Sequence, residues 1–572
     1  MSLRRTQSGV TLVEVLVASA VVVVIALSLY QVVSALFSTI SFIRTRTVLA
    51  EIASQKMEFI RNLTYDNVGT TGGIPSGVIS SVESFEQNAK VFTVRTTIRN
   101  IDNPEDGTIG GIPNDLSPAD NKLVNIEVVC ESCLRQDVVT YTSIVAPKYL
   151  ETENGNGALI IKVVDASGQP IQNATVRVVN TGTVPIIDGT DMTDVHGILA
   201  IVDAPPSTQL YQIIVTKDGY STEQTYLYGA VANPNPTKPH LTVSANTVTQ
   251  DTFSIDRLAE LSFTASSPAC TPVEGVPVTV SGTKIIGNPN ILKKLQTYTT
   301  GTNGTFIDAA LEWDTYDIAI GNPYSIVGIT QVSPFVVIPG GELEVSAVVD
   351  TPNAERTSIG IFDASSGASI SDVEVRLTKG GIVDTYTTGR NYVIHTDWST
   401  AISSDIGLLV TSEGVGLQST EGVYGTTGEF ISQSIDMGEG STARSFEVDL
   451  ETPSGTAIRF QVASSTDNQT WNFVGPDGTD ASYYDVPISL TTSGRYLRYK
   501  AFFATSDTSR TPLLHKVTIG FENACTPVSS LSIIGAESGA YTVRAEKNGF
   551  ETTTKPITIP STNYETISLT AL

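Results

Sequence analysis

The chain has 572 residues, 40% of them hydrophobic, which is enough for roughly three to five domains with ordinary cores. Its formal net charge of −25 repels phosphate backbones, so no nucleic acid partner is expected. Four cysteines in this length exclude a disulfide scaffold, and Thr, Ser, Val, Ile and Gly with no long helical pattern after residue 63 favour strands joined by turns.

The N-terminus reads MSLRRTQSG and then VTLVEVLVASAVVVVIALSLYQVVSALFSTISFI, in which Glu14 is the only charge between Val10 and Ile43. A helix needs about 20 apolar residues to cross a bilayer core, and this run exceeds that. Arg4 and Arg5 stay on the cytoplasmic side, which directs everything after the span outward. A secretory signal would carry only about 7–15 apolar residues followed by a small-residue cleavage site. Here the small residue, Gly9, precedes the run. A plain anchor does not account for Glu14, because a carboxylate in hydrocarbon is expensive, about 2.5–3.5 kcal/mol at a helix centre.

SGVTLVEVLVA resembles the class III signal of type IV prepilins and pseudopilins. The resemblance implies cleavage by a prepilin peptidase after Gly9, methylation of the new amine on Val10, and a subunit-assembly role for Glu14, at the fifth mature position. In that family the acid pairs with the N-terminal amine of a neighbouring subunit. The physics agrees, since two opposite charges in hydrocarbon relieve each other's penalty and fix helix register. The family prefers Phe where this chain has Val10.

The helix is predicted to extend to residue 63, with Val48, Ile52, Met57 and Ile60 along one face that packs on a β head at 64–152. Lys90–Asp102, Leu123–Val129 and Gln136–Pro147 alternate as strands. Cys130-Glu131-Ser132-Cys133 reads as a hairpin end that a local disulfide can close, because a zinc site needs four ligands and no second pair or nearby His is present. NIDNPEDGT holds Asp102, Glu105 and Asp106, with Asp115 and Asp120 following. A calcium loop is the lesser of two readings, because the alternating acid spacing and terminal Glu of an EF-hand are missing; the preferred reading is a solvated loop, and no metal is assigned.

Repeats dominate the rest. ALIIKVVDASGQPIQNATVRVVN (Ala158–Asn180) has a counterpart in TSIGIFDASSGASISDVEVRLTK (Thr357–Lys379), and Tyr211–Tyr226 matches Tyr541–Ile557. A weaker middle copy comprises Leu258–Gly282 and Tyr316–Ile329. Each unit reads as strands separated by Asp-Gly or Asn-Gly turns, a small sandwich of about seven strands. The units resemble carboxypeptidase regulatory-like domains, Ig-like accessory modules without the peptidase's catalytic residues. Boundaries are expected at 153–252, 253–352, and 353–392 with 524–572. The third copy is interrupted at 393–523 by a segment that resembles a jelly-roll or discoidin-like sandwich, of the kind often used to hold carbohydrate or protein. Within it Tyr496, Arg498, Lys500 and Phe502 fall on one side and Leu497, Tyr499 and Ala501 on the other.

Ala-Cys-Thr-Pro-Val occurs at Ala269–Val273 and Ala524–Val528, leaving open a Cys270–Cys525 bridge or two separately buried thiols, the commoner case. His196, His240, His395 and His515 fit no zinc-hydrolase spacing, and neither GxSxG nor a P-loop occurs, so no enzyme and no cofactor is expected. Trp313, Trp398 and Trp471 can each stack on a sugar, but each more often serves as core or a module joint.

The fold class is therefore mainly β, with one membrane helix, a pilin-like head and tandem Ig-like sandwiches. The expected function is structural: a large minor or tip pilin presenting adhesive modules. It would be a single-pass membrane protein before assembly and lie on the pilus or cell surface afterwards. The expected partners are other pilin subunits, prepilin peptidase, inner-membrane assembly machinery and a surface glycan or protein ligand. The alternative is a pseudopilin of a type II secretion system, whose signal reads the same.

Overall fold

The computed structural model describes residues 12–572, apart from 88–89, 106, 109–110, 116–117, 134–136, 149–154, 354, 486–487 and 562–563, and apart from the side chains of residues 13, 14 and 18. It is mostly β, with one long apolar N-terminal helix, and it divides into two compact units. One is Met1–Ile255 with Gly287–Pro289; the other is Asp256–Ile286 with Asn290–Leu572.

In the first unit the helix spans Leu12–Arg61, about 75 Å at 1.5 Å per residue. Its C-terminal part lies on an antiparallel sheet, β1 (Val82–Gln87), β2 (Lys90–Ile101), β3 (Asn121–Cys130) and β4 (Val138–Val145), in that spatial order. The buried stripe is Leu49, Ala53, Met57 and Ile60, set against Phe92, Val94, Val124, Ile126 and Val128. Val48 and Ile52 are only partly buried at its margin. The physical reason is the helical period: a five-residue step from 52 to 57 turns about 140° away, whereas steps of four and three stay on one face. Burying Leu49, Met57 and Ile60 contributes about 1.5–3 kcal/mol each. The polar neighbours are matched too, with Lys56 Nζ 2.6 Å from Glu83 and Lys90 Nζ donating to Thr45 Oγ1 at 2.9 Å.

The three repeats close in the same way. Each first strand lies between an antiparallel neighbour and, in parallel, the last strand of its own copy. These parallel pairs are Gly157–Val164 with Val248–Ser254, Ala259–Ser266 with Glu342–Asp350, and Arg356–Asp363 with Tyr564–Leu569. Alternate residues fill each core, for example Leu159, Ile161, Val163, Tyr211, Ile213 and Val215 in the first. The DASG-type turns have a local cause. Asp165 accepts from the Ser167 and Gln169 amides, Asp363 from those of Ser365 and Ser366, and Gly168 and Gly367 take the left-handed backbone that follows.

In the first repeat the strand Ile187–Met192 reaches Ile198–Ala204 through a short turn. In the third, the matching strands are Ile382–Thr387 and Ser530–Ile534, and the interruption lies between them. The joint expected at 392 falls inside a strand, Arg390–His395, which pairs with Ser530–Ile534 on one side and Leu513–Glu522 on the other. One sheet therefore runs unbroken from the inserted segment into the third repeat, so the insertion is fused to its host rather than tethered by linkers. The inserted segment has its own core of Trp398, Phe430, Phe446, Phe460, Tyr499 and Phe503. In Tyr496–Thr505 the residues facing inward are Leu497, Tyr499, Ala501 and Phe503.

Candidate functional site

The N-terminal segment is the candidate assembly site. Gly9 and Val10 lie outside the described residues, as does the side chain of Glu14, although Glu14 sits within the helix. From Leu12 to Ile43 the described apolar side chains other than the half-buried Phe42 face outward: Leu16, Val22, Ile25, Leu29, Phe37 and Ile43 are all more than half exposed. Exposed apolar surface of this extent needs lipid or neighbouring helices to cover it. Four hydroxyls in this stretch bond back to the helix. Ser19 donates to the Leu16 carbonyl at 2.9 Å, Ser28 to Val24 at 2.8 Å, and Ser38 and Thr39 to Ala35 at 2.8 Å. That leaves no unmet hydroxyl donor among them in hydrocarbon. Arg44 and Arg46 follow at once, and Arg46 Nε stands 3.6 Å from Asp137.

Cys130 and Cys133 are joined in a disulfide that closes the turn after β3, with Cys130 fully buried. Cys270 and Cys525 are also bonded, with Cα atoms 5.4 Å apart, so the open alternative of two separate thiols gives way to a bridge. Sequence reasoning missed the residue that aligns it. Asn523 Nδ2 donates to the carbonyls of Pro268 (3.0 Å) and Met437 (3.2 Å), and its Oδ1 accepts from the Thr526 amide at 2.9 Å. One side chain thereby ties together the second repeat, the inserted segment and the return into the third.

Trp398 is 2% exposed, inside the inserted core, and is unavailable to a sugar. Lys284 Nζ lies 3.3 Å from the Trp313 ring centre and the Arg498 guanidinium 4.6 Å from that of Trp471, so both rings already carry a cation. Three of the four histidines are separately engaged: His240 with Thr225 at 2.9 Å, His395 with Tyr499 at 2.8 Å, His515 with the Glu413 carbonyl. Burial holds the His395 imidazole down at about 4. The unfolded chain takes up that proton near pH 6.5 and the folded chain only near 4. Between the two the unfolded state binds more protons, so stability falls as pH drops through the window, by up to about 3 kcal/mol. Denaturation midpoints of wild type and His395→Gln at pH 7 and 4.5 check this; the variant is expected to lose that part of the acid sensitivity.

The loop 102–120, read as solvated, is exposed at Asn103, Pro104 and Glu105 and draws three of its acids together. Asp102, Asp115 and Asp120 bring one carboxylate oxygen each to within 4.8 Å of one another, and Asp120 is 5% exposed. Glu105 stays exposed, and Asp106 lies outside the described residues.

Residues 4–30 match the family model described as the prokaryotic N-terminal methylation motif. No curated protein matches the chain. Among solved structures it is similar to the Bacillus anthracis TIE protein, at 11% identity over 86% of this chain and 73% of that one, with a TM-score of 0.17. It is also similar to a streptococcal ancillary pilin, at 13% identity over 40% and 75%, TM-score 0.17. A third is the shaft pilin SpaA of Lactobacillus rhamnosus GG, at 10% identity over 34% and 98%, TM-score 0.14. TM-scores this low define no common arrangement. The methylation motif runs directly into an exposed apolar helix that is long and apolar enough to cross a membrane, as a prepilin-like signal would.

Proposed function

We propose that this chain is a low-copy subunit of a type IV pilus or related filament, a minor or tip pilin that presents β modules outside the cell. The observation that carries the proposal is the methylation motif at 4–30 on a helix whose apolar half is uncovered by its own body. Prepilin peptidase would cut after Gly9 and the amine of Val10 would be methylated. Glu14 would then meet the amine of the next subunit, and the assembly machinery would draw the helix from the membrane into the filament.

Low copy number follows from size. Packed helices stand about 8–10 Å apart. A single module of about 100 residues has a radius of gyration near 13 Å, and this body carries several. Such bodies crowd one another if every filament position holds one, whereas a terminal position leaves them room. The carboxypeptidase regulatory-like and discoidin-like resemblances support display of a binding surface, with no catalytic role assigned.

Immunogold labelling of intact cells tests this reading. Label at filament ends or sparsely along shafts is expected; label confined to the cell membrane contradicts it.

A further inference from the structure

We propose that Asp102, Asp115 and Asp120 form a calcium site that closes the base of the β2–β3 loop. Asp102 directly follows β2 and Asp120 directly precedes β3, so the loop's two ends meet at the cluster. Asp115 is returned to them by the loop's own backbone, its amide donating to the Thr108 carbonyl at 3.1 Å while the Thr108 amide donates to Pro113. Gly107, at φ +133°, lies against this fold, where an added Cβ would come within 2.8 Å of the Pro113 carbonyl and 3.4 Å of Asp115 Cβ.

A group of acids alone would signify little on so acidic a chain. Asp120 supplies the independent observation. It is 5% exposed; one of its carboxylate oxygens accepts from the Asn103 amide, and the other, Oδ1, is shut off from solvent with no donor reaching it. A buried carboxylate oxygen without a donor is costly unless a cation meets it. Lys122, two residues on, does not serve, because its Nζ is committed to the Tyr65 carbonyl at 2.8 Å and sits 4.3 Å from the centre of the Tyr65 ring.

The donors select the ion. Three carboxylates and no nitrogen or sulfur make a hard oxygen site. Calcium binds oxygens at about 2.3–2.6 Å, so ligands on opposite sides of it stand up to roughly 5 Å apart, which accommodates this spacing. Magnesium, at about 2.0–2.1 Å, requires a tighter and more regular set. Calcium would pin the end of β2 to the start of β3 and hold the loop tip, where Ile112 is fully exposed, in a fixed position.

The test uses the full-length chain in detergent micelles, stripped with a chelator and dialysed against radioactive calcium at about 0.15 M salt. Wild type is expected to take up one more calcium per chain than Asp120→Asn, with a dissociation constant of about 10⁻⁴–10⁻³ M, and magnesium at equal concentration should not displace it. Asp102→Asn, at a partly exposed position, carries the same comparison should Asp120→Asn misfold. Independently of any variant, a glutamate-specific protease should cleave wild type after Glu105 several-fold more slowly with calcium present. Equal uptake by wild type and variants, or cleavage after Glu105 at one rate with and without calcium, overturns the proposal.

Discussion

Glu14→Ala is expected to be processed normally after Gly9 and yet to drop out of sheared filaments by about a hundredfold. In the proposed assembly the Val10 amine of one subunit meets the Glu14 carboxylate of its neighbour, both in hydrocarbon. Alanine removes one charge and strands the other. An uncompensated charge there costs about 2.5–3.5 kcal/mol, which corresponds to roughly a hundredfold in the association constant. The rest of the helix, from Leu16 to Ile43, keeps its apolar surface, so membrane insertion is unaffected. Quantitative immunoblots of sheared and membrane fractions read the effect; equal incorporation of wild type and variant would refute the pairing role of Glu14.

The second large effect belongs to the Cys270–Cys525 bridge. The two residues are 255 apart in sequence, and closing so long a loop in the unfolded chain is worth about 5 kcal/mol on the chain-entropy model. The double variant Cys270→Ser, Cys525→Ser is expected to lose stability on that order. Trp313, Trp398 and Trp471 all lie in the same compact unit as the bridge, so denaturant unfolding followed by tryptophan fluorescence reports on it directly. The Asn523 hydrogen bonds remain in the variant and should preserve the native joint. A loss below about 1 kcal/mol would mean that the bridge constrains little.

What was legible from residues alone was whatever depends on short range. The alternation of Tyr496–Thr505 separated its two faces because side-chain direction in a strand has period two, and the fold buries the face with Leu497, Tyr499 and Ala501. The DASG turns were legible because an aspartate carboxylate caps amides two to four residues away. The helix face was read one step off, since Val48 and Ile52 sit beside the true stripe and the spacing of five was accepted as helical. The insertion was recognised from the interrupted repeat, but not its fusion to the host sheet, because the pairing of Arg390–His395 with Leu513–Glu522 joins segments more than a hundred residues apart. The same holds for the bridge: a duplicated Ala-Cys-Thr-Pro-Val hinted at it, and only the fold brings its two copies together. The convergence of Asp102, Asp115 and Asp120 was not legible, because no local spacing records that Asp102 and Asp120 meet across two strand ends.

In the proposed assembly the first residues are a processing signal and the helix behind them an assembly rod. Mass spectrometry of the N-terminal peptide from protein purified out of its native cells tests it most directly. The expected peptide begins at Val10 with a methylated amine and lacks residues 1–9. A peptide that still begins at Met1 or Ser2 would contradict the account, leaving a membrane-tethered protein with no route into a filament.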